Sequence, residues 1–263
     1  MLIFAANTLL WIQKLIAVSL IFQTIEFLQL KQTLSDSGVW TWLVIERDFR
    51  TFPAFLQKFF SFFLKTSNFS KLLWLRLGAA LLLLFFPHPF LILFLLFSTV
   101  LISLRWRGSF NGGSDFMTLI VLMGLGLASL FPNHLLMGVG CLWYIALQTC
   151  TSYFISGLVK LKRANWRQGK ALTGFIRLSI YEPGPFVKWF LESPKISLRI
   201  SWVLILFECS FPLALLRFDL ALAYVSFGFL FHLANFYIFG LNRFLFAWLA
   251  TYPALLFAAV HAV

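Results

Sequence analysis

Hydrophobic stretches of about 16 to 25 residues follow one another along almost the whole chain. An α-helix of that length is what is needed to cross the hydrocarbon core of a bilayer. Because lipid offers no hydrogen bonds to an exposed backbone, helices are favoured over an open sheet. The pattern predicts an all-α fold, a polytopic transmembrane helix bundle forming a single domain over residues 1–263. We predict about eight spans, near residues 8–28, 71–86, 89–105, 115–131, 134–159, 199–216, 219–240 and 243–260.

Three further segments are predicted to be helices that lie along the membrane surface. Residues 53–64 are rich in Phe and begin at Pro53, but they are too short to cross a bilayer. Residues 169–180 and 186–192 lie on either side of a Glu-Pro-Gly-Pro loop signal at 182–185 and carry both apolar and basic residues. Interfacial helices are therefore expected in addition to the spans.

The composition and charge favour a lipid partner over a nucleic acid. The chain is 61% hydrophobic and only 11% charged, whereas soluble proteins average about 25% charged residues. Its net charge of +12 comes from Lys and Arg in short loops, where such residues set topology and contact anionic lipids. Loops rich and poor in basic residues alternate, which predicts both termini outside. We expect a multi-pass protein of the bacterial inner (plasma) membrane, with the bilayer as a partner and no nucleic acid.

Glu208 is the most unusual residue within a predicted span. A carboxylate in the middle of a span costs at least a few kcal/mol unless it is protonated, paired or beside a wet cavity. Pro212, four residues later, leaves the Glu208 carbonyl without its helical donor and is expected to kink the helix. Glu208 is therefore a candidate catalytic residue. A structural hydrogen bond to a neighbouring helix is the alternative.

His232 and Asn235 lie about one turn apart on the same face of the seventh predicted span. Two polar residues on one face favour a polar site or channel, although a lone buried His is often only a satisfied core residue. We consider His232 a candidate catalytic residue and Asn235 a candidate cavity residue. Since no second His or Cys lies at ligand spacing, no metal site is predicted.

Lys160 ends the fifth predicted span, and its position is compatible with two different roles. It can set topology, with its side chain reaching the interface. Alternatively, apolar surroundings and cationic neighbours favour the neutral amine, which makes it a usable base. Gln148 and Tyr153 add hydrogen-bonding groups to the same span and are candidate cavity-lining residues.

The segment before the fourth predicted span offers two more candidates, Asn111 and Asp115. Asp115 and Ser114 suit the N-terminus of a helix, where acidic and hydroxyl side chains cap free N–H groups. The Gly pair at 112–113 permits a tight turn or a close backbone approach to a ligand. Capping alone explains most of this pattern.

In this order, these segments resemble the HTTM family, the membrane domain shared with vitamin K-dependent γ-glutamyl carboxylases. The resemblance is strongest over residues 100–257. Its most specific part is a set of six residue types between Gln148 and Gly169, and the other parts are FNGGSDFM, Glu208 with Pro212, and His232 with the Phe-rich span ending at Tyr252-Pro253. The pieces that carry it are Gln148, Tyr153, Gly157, Lys160-Leu161, Trp166, Gly169, Glu208, Pro212, His232 and Tyr252-Pro253.

The resemblance implies a lysine base that deprotonates a vitamin K hydroquinone. Oxygen then turns the quinol into a strong base that removes a proton from a substrate Glu, and carbon dioxide adds to the carbanion. Lys160 matches the lysine, with Lys162 as an alternative, and His232 matches a family histidine. A quinone or hydroquinone is the implied cofactor.

Three departures limit this expectation. Gly112, Gly113 and Ser114 occupy the segment where the carboxylases have a histidine. The large lumenal domain that recognises propeptides is not expected in this chain. The charge pattern also places Lys160 near the cytoplasmic end, whereas carboxylase substrates arrive from the lumen.

Three hypotheses follow from the sequence. The first is a membrane-embedded enzyme of carboxylase-like or quinol-linked chemistry, with Lys160 as base and the polar candidates around one cavity. The second is a non-catalytic subunit of a membrane complex, of the export or immunity type, whose partner is another membrane or secreted protein. The third is a proton-coupled transporter that uses Glu208 and His232, although no inverted repeat is visible.

Overall fold

The computed structural model describes residues 2–108, 112–177 and 184–261, and these ranges are helical almost throughout. Single 3-10 turns at Glu46–Phe49 and Phe211–Leu215 interrupt the α-helices. The α-helices are α1 (Leu2–Gln29), α2 (Lys31–Leu34), α3 (Trp42–Ile45), α4 (Ala54–Leu64), α5 (Thr66–Phe85), α6 (Pro89–Arg105), α7 (Gly112–Leu130), α8 (Leu135–Lys162), α9 (Ala164–Arg167), α10 (Lys170–Arg177), α11 (Pro185–Glu192), α12 (Pro194–Ser210), α13 (Phe218–Phe239), α14 (Asn242–Leu249) and α15 (Tyr252–His261).

Seven helical segments in the described ranges are long and apolar enough to cross a membrane. They are α1, α5, α7, α8, α12 with its 3-10 extension, α13, and α14 together with α15. The remaining predicted span corresponds to α6, which has 17 residues and so extends about 25 Å. The predicted all-α transmembrane bundle is confirmed.

Two spans depart from regular helix at prolines. After Ser210 the chain tightens into the 3-10 turn, where the Phe211 N–H bonds to the Glu208 carbonyl that Pro212 cannot reach. The last predicted span is two helices, α14 and α15, with a break at Ala250 and Thr251. Pro253 explains this break because it has no N–H to continue the helical bonds. Both irregularities lie close to the site described below.

The long helix α8 lies at the centre of the bundle and packs against α1, α7, α12 and α15. Its residues Leu142, Ile145 and Ala146 are fully buried in the main core. Near its basic end, Gly157 lets α12 approach unusually closely, since a Cβ there would lie 2.6 Å from the backbone nitrogen of Cys209. This close crossing brings the end of α8 beside Glu208.

The predicted surface helices correspond to α4, α10 and α11, while residues 178–180 of the second segment lie outside the described residues. α10 is fastened to α12 through Gly169, whose φ of +74° favours glycine. Ser197 Oγ donates to the Gly169 carbonyl at 2.6 Å, and Thr173 Oγ1 lies 3.1 Å from Ser197 Oγ. The amphipathic helix α10 is thereby held across the basic end of the bundle.

Candidate functional site in an intramembrane cavity

A cavity of about 550 Å³ lies at the basic end of the bundle. Its size is within the usual range for small-molecule sites. Spans α8, α12, α13 and α14 supply most of its walls, and Trp166, Leu172 and Phe175 on α9 and α10 line its basic end. The walls are largely aromatic and aliphatic, with a small group of polar side chains among them. An amphipathic, lipid-soluble molecule would fit such a lining.

Lys160 and Glu208 form an ion pair on the cavity wall. Lys160 Nζ lies 2.7 Å from Glu208 Oε1 and 2.6 Å from Oε2. The Glu208 side chain is 2% exposed and the Lys160 side chain 13% exposed, so the pair is almost fully removed from solvent. Pairing offsets part of the cost of burying each charge. The ion pair therefore explains how a carboxylate at Glu208 is tolerated in the middle of a span.

Two neighbours hold the Lys160 ammonium in place. Lys160 Nζ donates to Ser156 Oγ at 3.2 Å, one turn earlier on α8. On another side it lies 5.2 Å from the centroid of the Trp166 ring, within the range of a cation–π interaction. Lys160 therefore has a fixed position at the cavity wall.

His232 begins a chain of hydrogen bonds with two tyrosines. His232 Nε2 lies 2.7 Å from Tyr153 Oη, which in turn lies 2.9 Å from Tyr252 Oη. The three residues come from α13, α8 and α15, and all are buried. Gly228 makes room for them, because a Cβ at that position would lie 2.7 Å from Tyr252 Oη and 3.1 Å from Tyr153 Oη.

Two polar ring atoms beside the cavity are buried without a hydrogen-bond partner among the described residues. They are His232 Nδ1 and Trp248 Nε1. The two rings also line the cavity, and their centroids are 5.0 Å apart. A buried polar atom without a partner costs about 1–3 kcal/mol. A bound ligand or an ordered water beside these rings would remove that cost.

An aromatic wall lies next to the polar side chains. Its Phe244 and Trp248 rings on α14 stack on each other at 5.3 Å, and Tyr153, which also lines the cavity, stacks at 3.8 Å on Phe211 behind it. Asn235 also lines the cavity and donates its Nδ2 to the Phe231 carbonyl at 3.0 Å, so its Oδ1 stays an acceptor. A flat ring in the cavity would find both stacking surfaces and hydrogen-bonding groups in the lining.

The cavity brings together five of the residues predicted from the sequence: Lys160, Glu208, His232, Tyr153 and Asn235. Three others are not placed there. Gln148 is half-buried on α8 but is not part of the lining, and Asn111 lies outside the described residues.

Asp115 belongs to a different charged cluster, although its neighbour Gly113 does line the cavity. Asp115 Oδ1 accepts from Gln23 Nε2 at 3.0 Å and lies 3.6 Å from Arg243 Nη1. Arg243 and Asn242 both donate to the carboxylate of Glu26. The cluster joins α1, α7 and α14 just behind the aromatic wall.

Arg76 extends this cluster and was missed by the sequence reasoning. Its side chain is fully buried on α5 and donates to several acceptors on α1 and α6. A run of apolar residues around a single Arg, as in LLWLRLGAALLLL, is the signal that could have identified it. The acceptors are Thr24 Oγ1 at 3.1 Å, Leu95 O at 3.0 Å, Ser98 Oγ at 2.6 Å, Thr99 Oγ1 at 2.7 Å and Gln23 Oε1 at 2.8 Å.

The helices and the cavity together define a multi-pass integral membrane protein with a polar site built between its spans. Residues 137–260 match the family model of the HTTM domain. This match confirms the resemblance to the HTTM family predicted from the sequence. The match includes every span that lines the cavity except α7. No curated protein and no solved structure matches the chain.

Proposed function

We propose that this protein is a membrane-embedded enzyme that performs acid–base chemistry on a lipid-soluble substrate, with Lys160 as its base. One observation carries the proposal: Lys160, Glu208 and His232 come from three different spans and line one cavity. Ionisable groups within a membrane are costly and usually mark a functional site. A purely structural hydrogen bond between helices would not need a space large enough for a ligand beside it, and these three side chains border such a space.

The Lys160–Glu208 pair supplies the base in this proposal. A proton moving from Lys160 Nζ to a Glu208 oxygen, over 2.6 Å, leaves an uncharged amine and an uncharged carboxylic acid. The amine then takes a proton from an acidic O–H or C–H of the substrate, and the resulting ammonium lies beside the substrate anion and stabilises it.

His232 has a different role, that of a hydrogen-bonding partner. Its Nε2 is engaged by Tyr153, whose hydroxyl meets Tyr252, and together these contacts fix the ring orientation. The chain of hydroxyls ends at Tyr252 among the described residues, which suits a positioning group better than a path for protons across the membrane. This point favours the enzyme over the proton-coupled transporter.

A hydroquinone is the substrate class that we propose first, in line with what the HTTM resemblance implies. The residues fit such a group: Phe244 and Trp248 offer stacking surfaces, and His232 Nδ1 has no hydrogen-bond partner among the described residues. A hydroquinone would supply an acidic hydroxyl and two reducing electrons, and dioxygen would accept those electrons, so turnover would consume oxygen.

We also propose that the protein lies in a bacterial inner membrane with the Lys160 end in the cytoplasm. The support is the concentration of Lys and Arg in the segments at that end of α8 and α12. A non-catalytic role in a membrane complex is the main competing proposal, and the absence of turnover with a stoichiometric copurifying partner would favour it.

The test is oxygen consumption by the purified protein supplied with a naphthohydroquinone. Lys160→Met should abolish protein-dependent turnover, while Lys162→Met should leave it near the wild-type rate. Lys162 is the matched control because it ends the same helix but is exposed and lies outside the cavity. Equal rates for Lys160→Met and the wild type, at equal expression, would overturn the assignment of the base.

A further inference from the structure

A second cavity, of about 420 Å³, lies at the opposite end of the bundle. It is bounded by α1, α7 and α8 and by the turns at 87–89 and 131–134. Gly138 lines it, and Lys160 of the first cavity lies about 33 Å further along α8, which is close to the thickness of the hydrocarbon core. The fully buried residues Leu142, Ile145 and Ala146 lie on α8 between them. The second cavity is therefore a separate space at the other membrane surface.

Small side chains create this space within an otherwise closely packed bundle. Ala5 and Ala6 on α1, Ala128 on α7 and Gly138 on α8 stand where larger residues would fill it. A Cβ on Gly138 would meet only Leu9 Cδ1, at 3.6 Å. Apart from His88, His134, Gln13 and Ser129, the lining consists of aliphatic residues, prolines and Phe131, so the interior suits a hydrocarbon chain.

The polar groups of this cavity lie at its mouth and along one wall. His88 and His134 begin α6 and α8 and are exposed to the outside of the bundle. Each accepts a backbone N–H at Nδ1, from Phe90 and Met137 respectively, at 3.3 Å. An Nδ1 that accepts a hydrogen bond leaves the proton of a neutral imidazole on Nε2. Both rings therefore offer an N–H donor at the rim.

Gln13 adds a buried polar group to the wall. It is 6% exposed, and its Nε2 donates to the Leu83 carbonyl at 3.1 Å. The carboxamide oxygen stays available as an acceptor. No Lys, Arg, Asp or Glu stands among the described residues that line the cavity, so its lining does not complement a full charge.

We propose that this cavity binds one acyl chain of a glycerophospholipid from the adjacent leaflet. The chain lies between α1, α7 and α8, and the ester carbonyls accept from His88 and His134 at the rim. The phosphate remains outside in the headgroup layer, which agrees with the uncharged lining. Ester carbonyls lie where hydrocarbon meets headgroups, and the two histidines lie at that level because they begin their spans. This inference is independent of the proposed enzymatic function.

Native mass spectrometry of the detergent-purified protein titrated with palmitoyl-oleoyl phosphatidylcholine tests the proposal. The wild type should retain one phospholipid under conditions that remove the others. Gly138→Leu fills the cavity and should weaken that retention at least tenfold. Gly140→Leu is the matched control, because Gly140 lies on the same helix with no other atom within 4 Å of its Cβ position, and it should bind as the wild type does.

Ala6→Leu, on the facing wall, provides a second variant in case Gly138→Leu does not fold, and a thermal melt of each protein shows which are folded. Retention that is the same in the wild type and in every folded cavity variant would mean that the lipids bind only around the bundle, and it would overturn the proposal. The absence of any tightly held phospholipid in the wild type would also overturn it.

Discussion

Among the described residues, two groups of ionisable side chains between the spans differ in what surrounds them. The first contains Arg76, Asp115, Arg243 and Glu26 and joins α1, α5, α7 and α14. Within the described ranges, a space of about 10 Å³ lies beside it, roughly enough for one water. The second contains Lys160, Glu208 and His232 and opens onto a cavity of about 550 Å³. Both groups place ionisable side chains within the membrane, where they are costly. Of the two, the second is the one that borders a space large enough for a small-molecule ligand.

This difference separates a structural use of charge from a functional one. Arg76 uses its guanidinium on five acceptors of neighbouring helices, so it fastens spans together. Lys160 bonds to Glu208 and Ser156 but also lines the cavity. In the part of the chain that the structure describes, the His232 ring has one nitrogen without a hydrogen-bond partner. We expect variants of the closed group to lose stability and variants of the open group to lose activity first.

Arg76→Met should give the largest loss of stability. It removes the guanidinium donors from α5, so the side-chain oxygens of Gln23, Thr24, Ser98 and Thr99 lose the N–H groups from which they accept. Breaking such a buried network typically costs about 3–5 kcal/mol. Thermal unfolding in a fixed detergent measures the effect. The control is Lys71→Met, an exposed position on the same helix, which should change stability by no more than about 0.5 kcal/mol.

Glu208→Gln should cost less stability than Arg76→Met but more activity. The amide keeps a hydrogen bond to Lys160 and loses the charge, so we expect a loss of about 1.5–3 kcal/mol. Turnover should fall below detection, because the proton acceptor for Lys160 is gone. Unfolding and oxygen-consumption assays on the same preparation check both values. A variant with normal turnover would show that the pair is structural, like the closed group.

Gly228→Ala should produce a smaller and more local effect. The added methyl would press on Tyr252 Oη and Tyr153 Oη, and overpacking of this kind costs about 1–3 kcal/mol. Turnover should fall in part because the His232 ring loses its fixed position, and Tyr252→Phe in the same background should recover some stability by removing one clashing oxygen. Gly140→Ala, in open space, is the control and should have neither effect.

Much of the fold was predictable from the sequence because hydrophobic length sets the positions of spans. The eight segments were found close to their observed ranges, and Pro212 predicted the irregular turn after α12. The extension of α1 to Leu2 and the break before Tyr252 were not predicted. The break follows from Pro253. The hydrophobic pattern is continuous across this position, so it predicts one uninterrupted helix.

The candidate site was predictable only in part. Glu208 and His232 stood out because polar groups within spans are costly. Their partners depended on packing: Lys160 meets Glu208 because Gly157 permits a close crossing of α8 and α12. Asp115 was expected at the cavity but lies in the closed group. An acidic residue after a Gly pair is equally compatible with a helix cap and with a ligand contact, so the sequence does not distinguish the two. The basic residue Arg243, between α13 and α15, was not among the candidates, although it is buried and paired.

The central claim is that the open group surrounds a binding site for a lipid-soluble molecule. Mass spectrometry of organic extracts tests it most directly, using purified wild type and Ser152→Phe, a substitution that fills the cavity from α8. The account predicts a near-stoichiometric molecule other than phospholipid in the wild-type extract and at least a tenfold lower amount in the variant. Equal amounts in both proteins, or no such molecule in either, would contradict it.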